Sequence, residues 1–238
     1  MNIAIIGYGK MGQTIERIAR SRGHNIALIK DETPAASELK NIDVAIDFSF
    51  PNAAFNNIKV CLENGVRVVS GTTGWLENYP KAVEICNQNQ NGFIYASNYS
   101  VGVNLFFKLN KILAQMMAPH LNEYTVETEE IHHNQKLDAP SGTAITLAEG
   151  IIENTSLTDW YLVGEESKEN AVPIKAKRIG VIPGTHSIHY ESVVDSIEIK
   201  HTAHTREGFA LGAVVAAEWL NGKVGVFDMQ DVLGLKGL

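Results

Sequence analysis

Short apolar runs and amphipathic stretches alternate through the first 100 residues. The apolar runs are of strand length and rich in β-branched residues, and they lie at 2–6, 25–29, 44–48, 66–70 and 93–96. Stretches with helical periodicity separate several of them, at 12–22, 54–64 and 80–88. Buried strands that alternate with helices predict a parallel sheet with helices on both faces, a doubly wound layer. The loops at the carboxyl ends of such strands form a ligand crevice.

The pattern changes after residue 104. One helical stretch covers 105–117 and another covers 209–220. Apolar and polar residues alternate in the manner of half-exposed antiparallel strands at 124–131, 185–191 and 196–201. The sequence therefore predicts an α/β protein, with an N-terminal doubly wound parallel sheet and a C-terminal α+β domain with an open mixed sheet. The predicted domains are 1–101, onto which 209–238 returns to pack, and 102–208.

Composition and charge exclude several classes of protein. With 45% hydrophobic residues among 238, the chain can bury a core and is globular. A net charge of −7 argues against nucleic-acid binding, because the 20 lysines and arginines are scattered. Cys61 and Cys86 lie in apolar runs with helical spacing, which indicates buried thiols in a reducing compartment. No apolar run approaches the ~20 residues that cross a bilayer, and no basic signal region begins the chain, so we expect a cytoplasmic protein without membrane contact.

A glycine-rich turn joins the first predicted strand to the first predicted helix, with the sequence Gly7-Tyr8-Gly9-Lys10-Met11-Gly12. It fits the G-x-G-x-x-G pattern of Rossmann-type domains, in which the glycines let the backbone approach a pyrophosphate. The free N–H groups of the following helix point at that charge. A glycine-rich turn without a ligand shows the same letters, but the position between a strand and a helix favours a nucleotide.

The end of the second predicted strand bears on the choice of nicotinamide cofactor. It reads Ile29-Lys30-Asp31-Glu32. Asp31 can accept a hydrogen bond from a ribose hydroxyl, as in NAD-binding proteins, whereas Lys30 and Lys10 can neutralise a 2′-phosphate. NADH and NADPH are therefore both candidates, and a solvated charged loop accounts equally well for Lys30 alone.

Two more loops of small residues follow the fourth and fifth predicted strands, at 70–74 and 97–102. Both are expected on the crevice edge, where hydroxyls, glycines and free backbone groups suit a nicotinamide carboxamide. The ring of Tyr99 is expected to pack against the nicotinamide. Ordinary loops have a similar composition. The predicted cofactor residues of these loops are Gly71, Thr72, Thr73, Ser97, Asn98 and Tyr99.

The segment 129–144 has the features of an anion site. Ser141 precedes the apolar helical run 144–152 and is a natural N-cap, with Gly142 and Thr143 in the first turn. A helix N-terminus attracts negative charge. Gly142 leaves the first-turn amides unblocked and Thr143 adds a hydroxyl donor, so the pattern predicts binding of a carboxylate.

Three possible proton donors lie just upstream: His132, His133 and Lys136. An imidazole with a pKa near ~6.5 can give up a proton at neutral pH. Taken singly, His132 could be a core histidine and Lys136 a solvated lysine, but their convergence with the helix start favours chemistry on a small carboxylate substrate. A zinc site, and any other metal site, is not predicted, because no cysteine pair and no H-E-x-x-H helix accompany the histidines.

These residues resemble the signature of the dihydrodipicolinate reductases, also called 4-hydroxy-tetrahydrodipicolinate reductases. The resemblance rests on Glu130-Ile131-His132-His133, on Lys136 and on the run Asp138-Ala139-Pro140-Ser141-Gly142-Thr143-Ala144. It extends over the chain, with further similar stretches at 7–12, 71–74, 98–104, 184–186, 227–229 and 231–233. The sequence departs from the family pattern in a shorter first glycine loop and in Lys30, which stands where an acidic residue often ends the second strand.

The resemblance implies a nicotinamide-dependent oxidoreductase acting on CH or CH₂ groups, in lysine biosynthesis through diaminopimelate. It also implies an N-terminal dinucleotide-binding domain, a C-terminal domain for substrate binding and tetramerisation, and a homotetramer. The reaction is the reduction of (2S,4S)-4-hydroxy-2,3,4,5-tetrahydrodipicolinate to (S)-2,3,4,5-tetrahydrodipicolinate by NADPH or NADH, with loss of water.

The resemblance also assigns roles to residues. The general acid of the family falls on His132, its catalytic lysine on Lys136, and its contacts with the substrate carboxylates on His133, Gly142 and Thr143. Arg206 and Phe209 complete the predicted cofactor residues. Hydride addition is expected to build negative charge that Lys136 stabilises and His132 quenches by protonation, with closure of the two domains excluding water.

Two alternatives share these sequence features. One is another nicotinamide enzyme of similar architecture, such as an amino-acid or semialdehyde dehydrogenase. The other is a non-catalytic redox-sensing protein, which would bind the cofactor without turnover. The adjacency of His132 and Lys136 favours an enzyme.

Overall fold

The computed structural model describes residues 1–205 and 207–237. The chain divides into two compact units. The first unit comprises Met1–Asn104 and Glu207–Leu238, and the second comprises Leu105–Arg206. No helix among the described residues combines the length and the apolar composition that crossing a membrane requires.

Strands and helices alternate up to residue 100, as the apolar periodicity predicts. The strands are β1 (Asn2–Ile6), β2 (Asn25–Lys30), β3 (Val44–Asp47), β4 (Arg67–Ser70) and β5 (Gly92–Tyr95). The helices are α1 (Lys10–Ser21), α2 (Pro51–Glu63) and α3 (Tyr79–Gln88), and short 3₁₀ turns lie at Ala36–Leu39 and Leu76–Asn78. The predicted strands and helices of this region are confirmed, with ends that differ by at most 3 residues.

The rest of the described chain mixes longer strands with helices. These elements are α4 (Val101–Met117), a 3₁₀ turn (Ala118–His120), β6 (Thr125–His132), α5 (Gly142–Ile152), β7 (Asp159–Leu162), β8 (Ala171–Arg178), β9 (Gly184–Glu191), β10 (Ser196–Ala203), α6 (Glu207–Leu220), β11 (Gly225–Phe227) and α7 (Met229–Val232). The sequence prediction lacks β7, β8, β11 and α7. The elements β7, β11 and α7 are short. Pro173 within β8 counts against a strand, because proline donates no ladder hydrogen bond.

The first unit contains a six-stranded sheet within its described residues, in the order β11-β5-β4-β3-β1-β2. Its paired strands are all parallel. The prediction of a parallel, doubly wound sheet is therefore confirmed. In such a sheet the loops after β1, β3, β4 and β5 all leave from one edge, which brings the predicted cofactor loops to a common side.

Alternate residues of β1 enter the two cores of this unit. Ile3 and Ile5 pack with residues of α1 and α6, whereas Ala4 and Ile6 pack with residues of α2 and α3. Helices thus cover both faces of the sheet. Cys61 and Cys86 are buried free thiols, as predicted, and burial raises their pKa values to about 12 and about 11 respectively.

The second unit contains a mixed sheet in the order β10-β9-β6-β8-β7. The strand β6 lies antiparallel to β9 and parallel to β8. The predicted mixed sheet is confirmed. Every second residue of β6 is buried, and the buried series ends with Thr128, Glu130 and His132. A hydrophobic cluster that includes Leu147 and Ile151 of α5 packs with the apolar residues of this sheet.

Candidate active site

The glycine-rich turn between β1 and α1 has three glycines with three different surroundings. A Cβ on Gly7, whose φ is +90°, would lie 2.2 Å from the carbonyl oxygen of Phe48, and a Cβ on Gly12 would lie 2.2 Å from the carbonyl oxygen of Gly7. A Cβ on Gly9 would meet no atom within 4 Å. Gly7 and Gly12 are therefore required by packing, while Gly9 leaves space at the start of α1. Gly9 is the N-cap and provides no side-chain cap, so the first amides of α1 are available to an anion.

Two of the three residues that bear on cofactor choice, Asp31 and Lys30, already have partners in the first unit. The Tyr8 N–H donates to Oδ1 of Asp31 at 2.6 Å, which ties the glycine-rich turn to the end of β2. The ammonium of Lys30 lies 2.9 Å from Oε1 of Glu38. The hydrogen bond and charge of Glu38 raise the pKa of Lys30. Any contact of Lys30 with a 2′-phosphate would therefore compete with this ion pair.

A buried carboxylate that the sequence analysis missed organises the loops after β3 and β4. Asp47, at the end of β3, has no exposed surface. Its Oδ2 accepts from the hydroxyl of Thr72 at 2.8 Å, and the N–H of Ser49 donates to the same hydroxyl oxygen at 2.9 Å. Three other side chains donate to Asp47: Ser49, Asn57 and Ser70. The hydroxyl of the buried Thr72 therefore holds the loop, whereas the neighbouring Thr73 is exposed.

The structure corrects the expectation that the ring of Tyr99 packs against a nicotinamide. Tyr99 is only 2% exposed and belongs to the core of the first unit. Its hydroxyl donates to the carbonyl oxygens of Ser70 at 2.8 Å and Ile94 at 3.3 Å. The apolar ring gains more from this buried position than from a place in a polar loop. Asn98 stabilises the same loop, since its Oδ1 accepts from the N–H of Ser100 at 2.9 Å.

The remaining predicted cofactor residues that the structure describes lie in loops or near helix starts; they are Lys10, Met11, Gly71, Ser97 and Phe209. Phe209 is half-buried near the start of α6, and Arg206 lies outside the described residues. A Cβ on Gly71 would lie 2.3 Å from the ring of Phe48, so this glycine is required by a close side-chain approach. Among these remaining residues, Lys10 and Ser97 are exposed and Met11 is half-buried.

The helix α5 begins as the sequence predicts. Ser141 is its N-cap, and the Ser141 hydroxyl accepts from the N–H of Ala144 at 3.2 Å. Gly142 is exposed, and a Cβ there would meet no atom within 4 Å. Thr143 is half-buried, and among the described residues its hydroxyl has no hydrogen-bond partner. The first turn of α5 therefore has free amides and open space at Gly142, with the Thr143 hydroxyl on the next residue, as binding of a carboxylate requires.

His132, the last residue of β6, is buried with 7% exposure. Its Nδ1 lies 3.4 Å from Oε2 of Glu130 but makes no hydrogen bond to the described residues. A Cβ at position 184 would lie 3.1 Å from Nε2 of His132. Because residue 184 is a glycine, that nitrogen is not crowded. Burial lowers the pKa of His132, whereas the negative charge of Glu130 raises it. The two ring nitrogens thus have distinct surroundings, a carboxylate at Nδ1 and free space at Nε2.

His186 is a second buried imidazole next to this ring. It lies on β9, and its ring centroid is 5.0 Å from that of His132 in an edge-to-face arrangement. Its Nε2 lies 3.2 Å from the Ser141 hydroxyl and 3.8 Å from Oε2 of Glu130. Burial, and then the charge of His132, lower the pKa of His186 to about 3. His186 is therefore neutral at physiological pH and supports the site without carrying a mobile proton.

Lys136 and His133 lie in the loop between β6 and α5. The Lys136 ammonium is paired with Asp138, at 2.8 Å from both carboxylate oxygens, and its side chain is half-buried while that of Asp138 is exposed. Hydrogen bonding from Lys136 lowers the pKa of Asp138. His133 is half-buried, and its Nδ1 has no hydrogen-bond partner among the described residues. Beside burial, the positive charge of Lys136 lowers the pKa of His132.

The charge around Glu130 argues against a metal ion in this cluster. The possible donor atoms of Glu130, His132 and His186 lie within 4.8 Å of one another. Nη2 of Arg178, however, lies 3.1 Å from Oε1 of Glu130. This guanidinium contacts one carboxylate oxygen and adds a positive charge beside the cluster, which disfavours a divalent ion there more than a singly charged imidazolium.

The sequence identifies the predicted residues of this unit but not three residues that hold them, Glu130, Arg178 and His186. Glu130 and His186 are parts of family motifs without a predicted role, and Arg178 belongs to none of them. The burial of every second residue in β6 identifies Glu130, because alternation from His132 puts it on the same face. No local signal identifies Arg178, which is 48 residues from Glu130 in the chain.

Comparisons with known proteins agree with this arrangement. Residues 1–99 match the family model described as "Dihydrodipicolinate reductase, N-terminus", and residues 102–233 match "Dihydrodipicolinate reductase, C-terminus". A 4-hydroxy-tetrahydrodipicolinate reductase of Christiangramia forsetii is 57% identical over 236 residues, which cover 98% of each chain. The enzyme of the same name from Chromobacterium violaceum is 41% identical over 207 residues, 83% of this chain and 76% of that protein.

A solved structure has the same fold. It is a dipicolinate-bound dihydrodipicolinate reductase from Paenisporosarcina sp. TG-14, with a TM-score of 0.76 and 24% identity. The match covers 96% of this chain and 97% of that chain. The likeness therefore extends through both compact units.

Proposed function

The chain belongs to the dihydrodipicolinate reductase family, and we propose that it reduces 4-hydroxy-tetrahydrodipicolinate with a nicotinamide cofactor, as a step of lysine biosynthesis through diaminopimelate. Family membership makes it an oxidoreductase that acts on a small molecule. The observation that carries the choice of residues is the close grouping, in the second unit, of a buried imidazole, a lysine and an open helix start.

The first turn of α5 is the proposed site for a substrate carboxylate. The amides of Gly142 and Thr143 have no acceptor within the helix, and open space lies in front of Gly142. The hydroxyl of Thr143 and the ring of His133 are the proposed additional donors. A dicarboxylate gains affinity here from charge-assisted hydrogen bonds, which are about twice as strong as neutral ones.

His132 is the proposed general acid, acting through Nε2. Its other nitrogen faces Glu130, and Gly184 leaves Nε2 uncrowded. Lys136 is proposed to stabilise the negative charge that develops on the substrate before protonation. The low dielectric of a buried site strengthens both effects.

NADPH or NADH is proposed to bind at the start of α1 and to supply the hydride. The space at Gly9, the uncapped amides of α1 and the carboxylate of Asp31 fit a pyrophosphate and a ribose. Among the loop residues, the exposed Ser97 and Thr73 fit polar contacts, whereas Thr72 is proposed to act by holding its loop. For Tyr99, whose ring is buried, we propose a contact between its main chain and the cofactor.

The proposal is tested by coupled turnover. Freshly generated 4-hydroxy-tetrahydrodipicolinate is mixed with the protein and each of NADH and NADPH, and the loss of reduced-nicotinamide absorbance is followed. Oxidation that depends on the substrate is the expected result. Amino-acid and semialdehyde substrates serve as controls, and turnover of one of these alone, or cofactor binding without turnover, would contradict the proposal.

Assembly and location are part of the same proposal. We propose a cytoplasmic homotetramer, with the second unit providing both the substrate site and the subunit contacts. Light scattering at micromolar concentration tests the assembly. A monomeric mass with full activity would show that the tetramer is not needed.

A further inference from the structure

Glu130 is a carboxylate without any exposed surface. It lies in β6, two residues before His132, and both side chains are on the buried face of the strand. A buried carboxylate is strongly unfavourable unless it is paired and hydrogen bonded. The partners of Glu130 therefore indicate which groups its negative charge stabilises.

Arg178 joins Glu130 to the loop that carries Lys136. Nη2 of Arg178 lies 3.1 Å from Oε1 of Glu130 and donates to the carbonyl oxygen of Asp138 at 2.6 Å. Nε of the same guanidinium donates to the carbonyl oxygen of Lys136 at 3.3 Å. One planar group thus contacts the carboxylate and two backbone positions of the loop, a geometry that a lysine ammonium cannot reproduce.

The end of the same loop is also fixed by Glu130. The N–H of Ser141 donates to Oε1 at 3.2 Å and to Oε2 at 3.1 Å. Ser141 is the N-cap of α5, so the carboxylate holds the start of the helix on which the proposed carboxylate site depends. Glu130 therefore connects the helix start, the Lys136 loop and His132.

Oε2 of Glu130 is also 3.4 Å from Nδ1 of His132. A negative charge at that distance stabilises an imidazolium relative to an imidazole. Five charged or titratable groups face the ring of His132, one from its own strand, two from the loop, and one each from β8 and β9: Glu130, His133, Lys136, Arg178 and His186. Within this group Glu130 supplies the negative charge.

We propose that Glu130 is a positioning residue for proton transfer: its carboxylate orients the ring of His132 and stabilises its protonated form, while Arg178 and Ser141 hold the carboxylate. This inference rests on the proposed role of His132 as general acid. Burial and the neighbouring cations lower the pKa of His132, and Glu130 is the group that opposes them. Without that charge, a smaller fraction of His132 carries a proton at neutral pH.

The test compares three variants of the full-length chain with the wild type. Glu130→Gln keeps the shape and removes the charge, and Glu130→Asp keeps the charge on a shorter side chain. Glu127→Gln is the matched control, because Glu127 lies on the same strand and pairs with Lys175 of β8 at 2.7 Å, on the other face of the sheet. The pH titration of the His132 ring by NMR and the pH dependence of kcat and KM are measured for each.

We expect Glu130→Gln to lower the pKa of His132 by about one unit. The decline of kcat with rising pH should shift downward by the same amount, about a tenfold loss of kcat at pH 8 and less at pH 6, with KM changed by about twofold or less. Glu130→Asp should restore most of the pH profile, and Glu127→Gln should match the wild type.

Two results would overturn the inference. One is an unchanged His132 titration in Glu130→Gln; the other is failure of both Glu130 variants to fold, which would make Glu130 a residue of stability alone. The NMR titration needs no turnover. If the wild type does not turn over 4-hydroxy-tetrahydrodipicolinate, the proposed function fails while the link between Glu130 and His132 is still decided.

Discussion

Asp47 and Glu130 are buried carboxylates, one in each compact unit, and they differ in the charge of their neighbours. Four neutral side chains donate to Asp47, three with hydroxyls and one with an amide. Glu130 contacts a guanidinium, a backbone amide and two imidazoles. Neutral donors hold a carboxylate without coupling it to other protons. Ionisable neighbours couple its charge to theirs. A buried carboxylate thus holds loops in the first unit, and in the second unit we propose that it acts on a proton donor.

The largest expected effect is on turnover, in the second unit. We expect His132→Gln to lower kcat by roughly 10²- to 10⁴-fold, the range for a lost general acid, with a smaller change in substrate affinity. Lys136→Ala should also lower kcat, and the double variant should lose less than the product of the two single losses if both residues act on one developing charge. Stopped-flow single turnovers measure this step, and NAD(P)H binding by fluorescence is the control.

A His132→Gln variant with near wild-type kcat at neutral pH would move the proton donor to His133 or to water. The contrast with Asp47 would then weaken, because Glu130 would no longer stand beside the reacting proton. Lys136→Arg offers a further check, since partial recovery of kcat relative to alanine is expected only if the larger guanidinium fits.

Asp47→Ala should have its main effect on stability. It leaves four donors without their acceptor, so we expect the free energy of unfolding to fall by about 3 kcal/mol. Urea unfolding followed by far-UV circular dichroism measures the change. The pH dependence of kcat should be unchanged in whatever fraction remains folded, and a shifted pH profile would contradict the distinction between the two carboxylates.

The pH dependence of stability sharpens the same point. Burial raises the pKa of Asp47, and its four hydrogen bonds only partly offset that effect. The folded state therefore holds this proton to a higher pH than the unfolded chain, whose carboxyl has a pKa of ~3.9. The contribution of Asp47 to the free energy of unfolding is complete below the unfolded pKa of ~3.9 and is lost as the pH rises through the folded pKa. We expect the advantage of wild type over Asp47→Asn to shrink over this window in pH-dependent urea melts, and a growing advantage would contradict the raised pKa.

Much of the first unit and the proposed reaction were predictable from the chain, but the supporting contacts were not. Local periodicity identifies β1 to β5, and the helix start at Ser141 follows from its cap. Arg178 comes from a strand interrupted by Pro173 and meets Glu130 only through sheet pairing. The loop composition predicts a cofactor contact for the Tyr99 ring, but it does not show that this ring turns into the core. Contacts between distant segments therefore account for most of what was missed.

Two threonines extend the comparison to ligand affinity. Thr143→Val removes a donor that has no partner among the described residues, so we expect apparent substrate affinity to weaken by about 1.5 to 3 kcal/mol, as for hydrogen bonds to charged groups. Thr72→Val removes a donor to Asp47 and should lower stability while leaving substrate affinity unchanged. Calorimetric binding of dipicolinate as a substrate analogue measures the difference. Equal losses of NAD(P)H and dipicolinate affinity in Thr143→Val would mean that the start of α5 is not the carboxylate site.

The smallest expected effect concerns the cofactor ribose. Lys30 forms a solvent-accessible ion pair with Glu38 at 2.9 Å, and such surface pairs contribute little because water and salt screen them. Because the pair is weak, a 2′-phosphate can displace Glu38 and bind the ammonium. We therefore expect Lys30→Glu to shift the ratio of kcat/KM for NADPH over NADH toward NADH by a few-fold. Lys59→Glu, which alters another surface pair with Glu63 on α2, is the matched control and should leave the ratio unchanged. An identical ratio in wild type and Lys30→Glu would exclude Lys30 from the cofactor site and leave Lys10 as the remaining candidate of the two lysines.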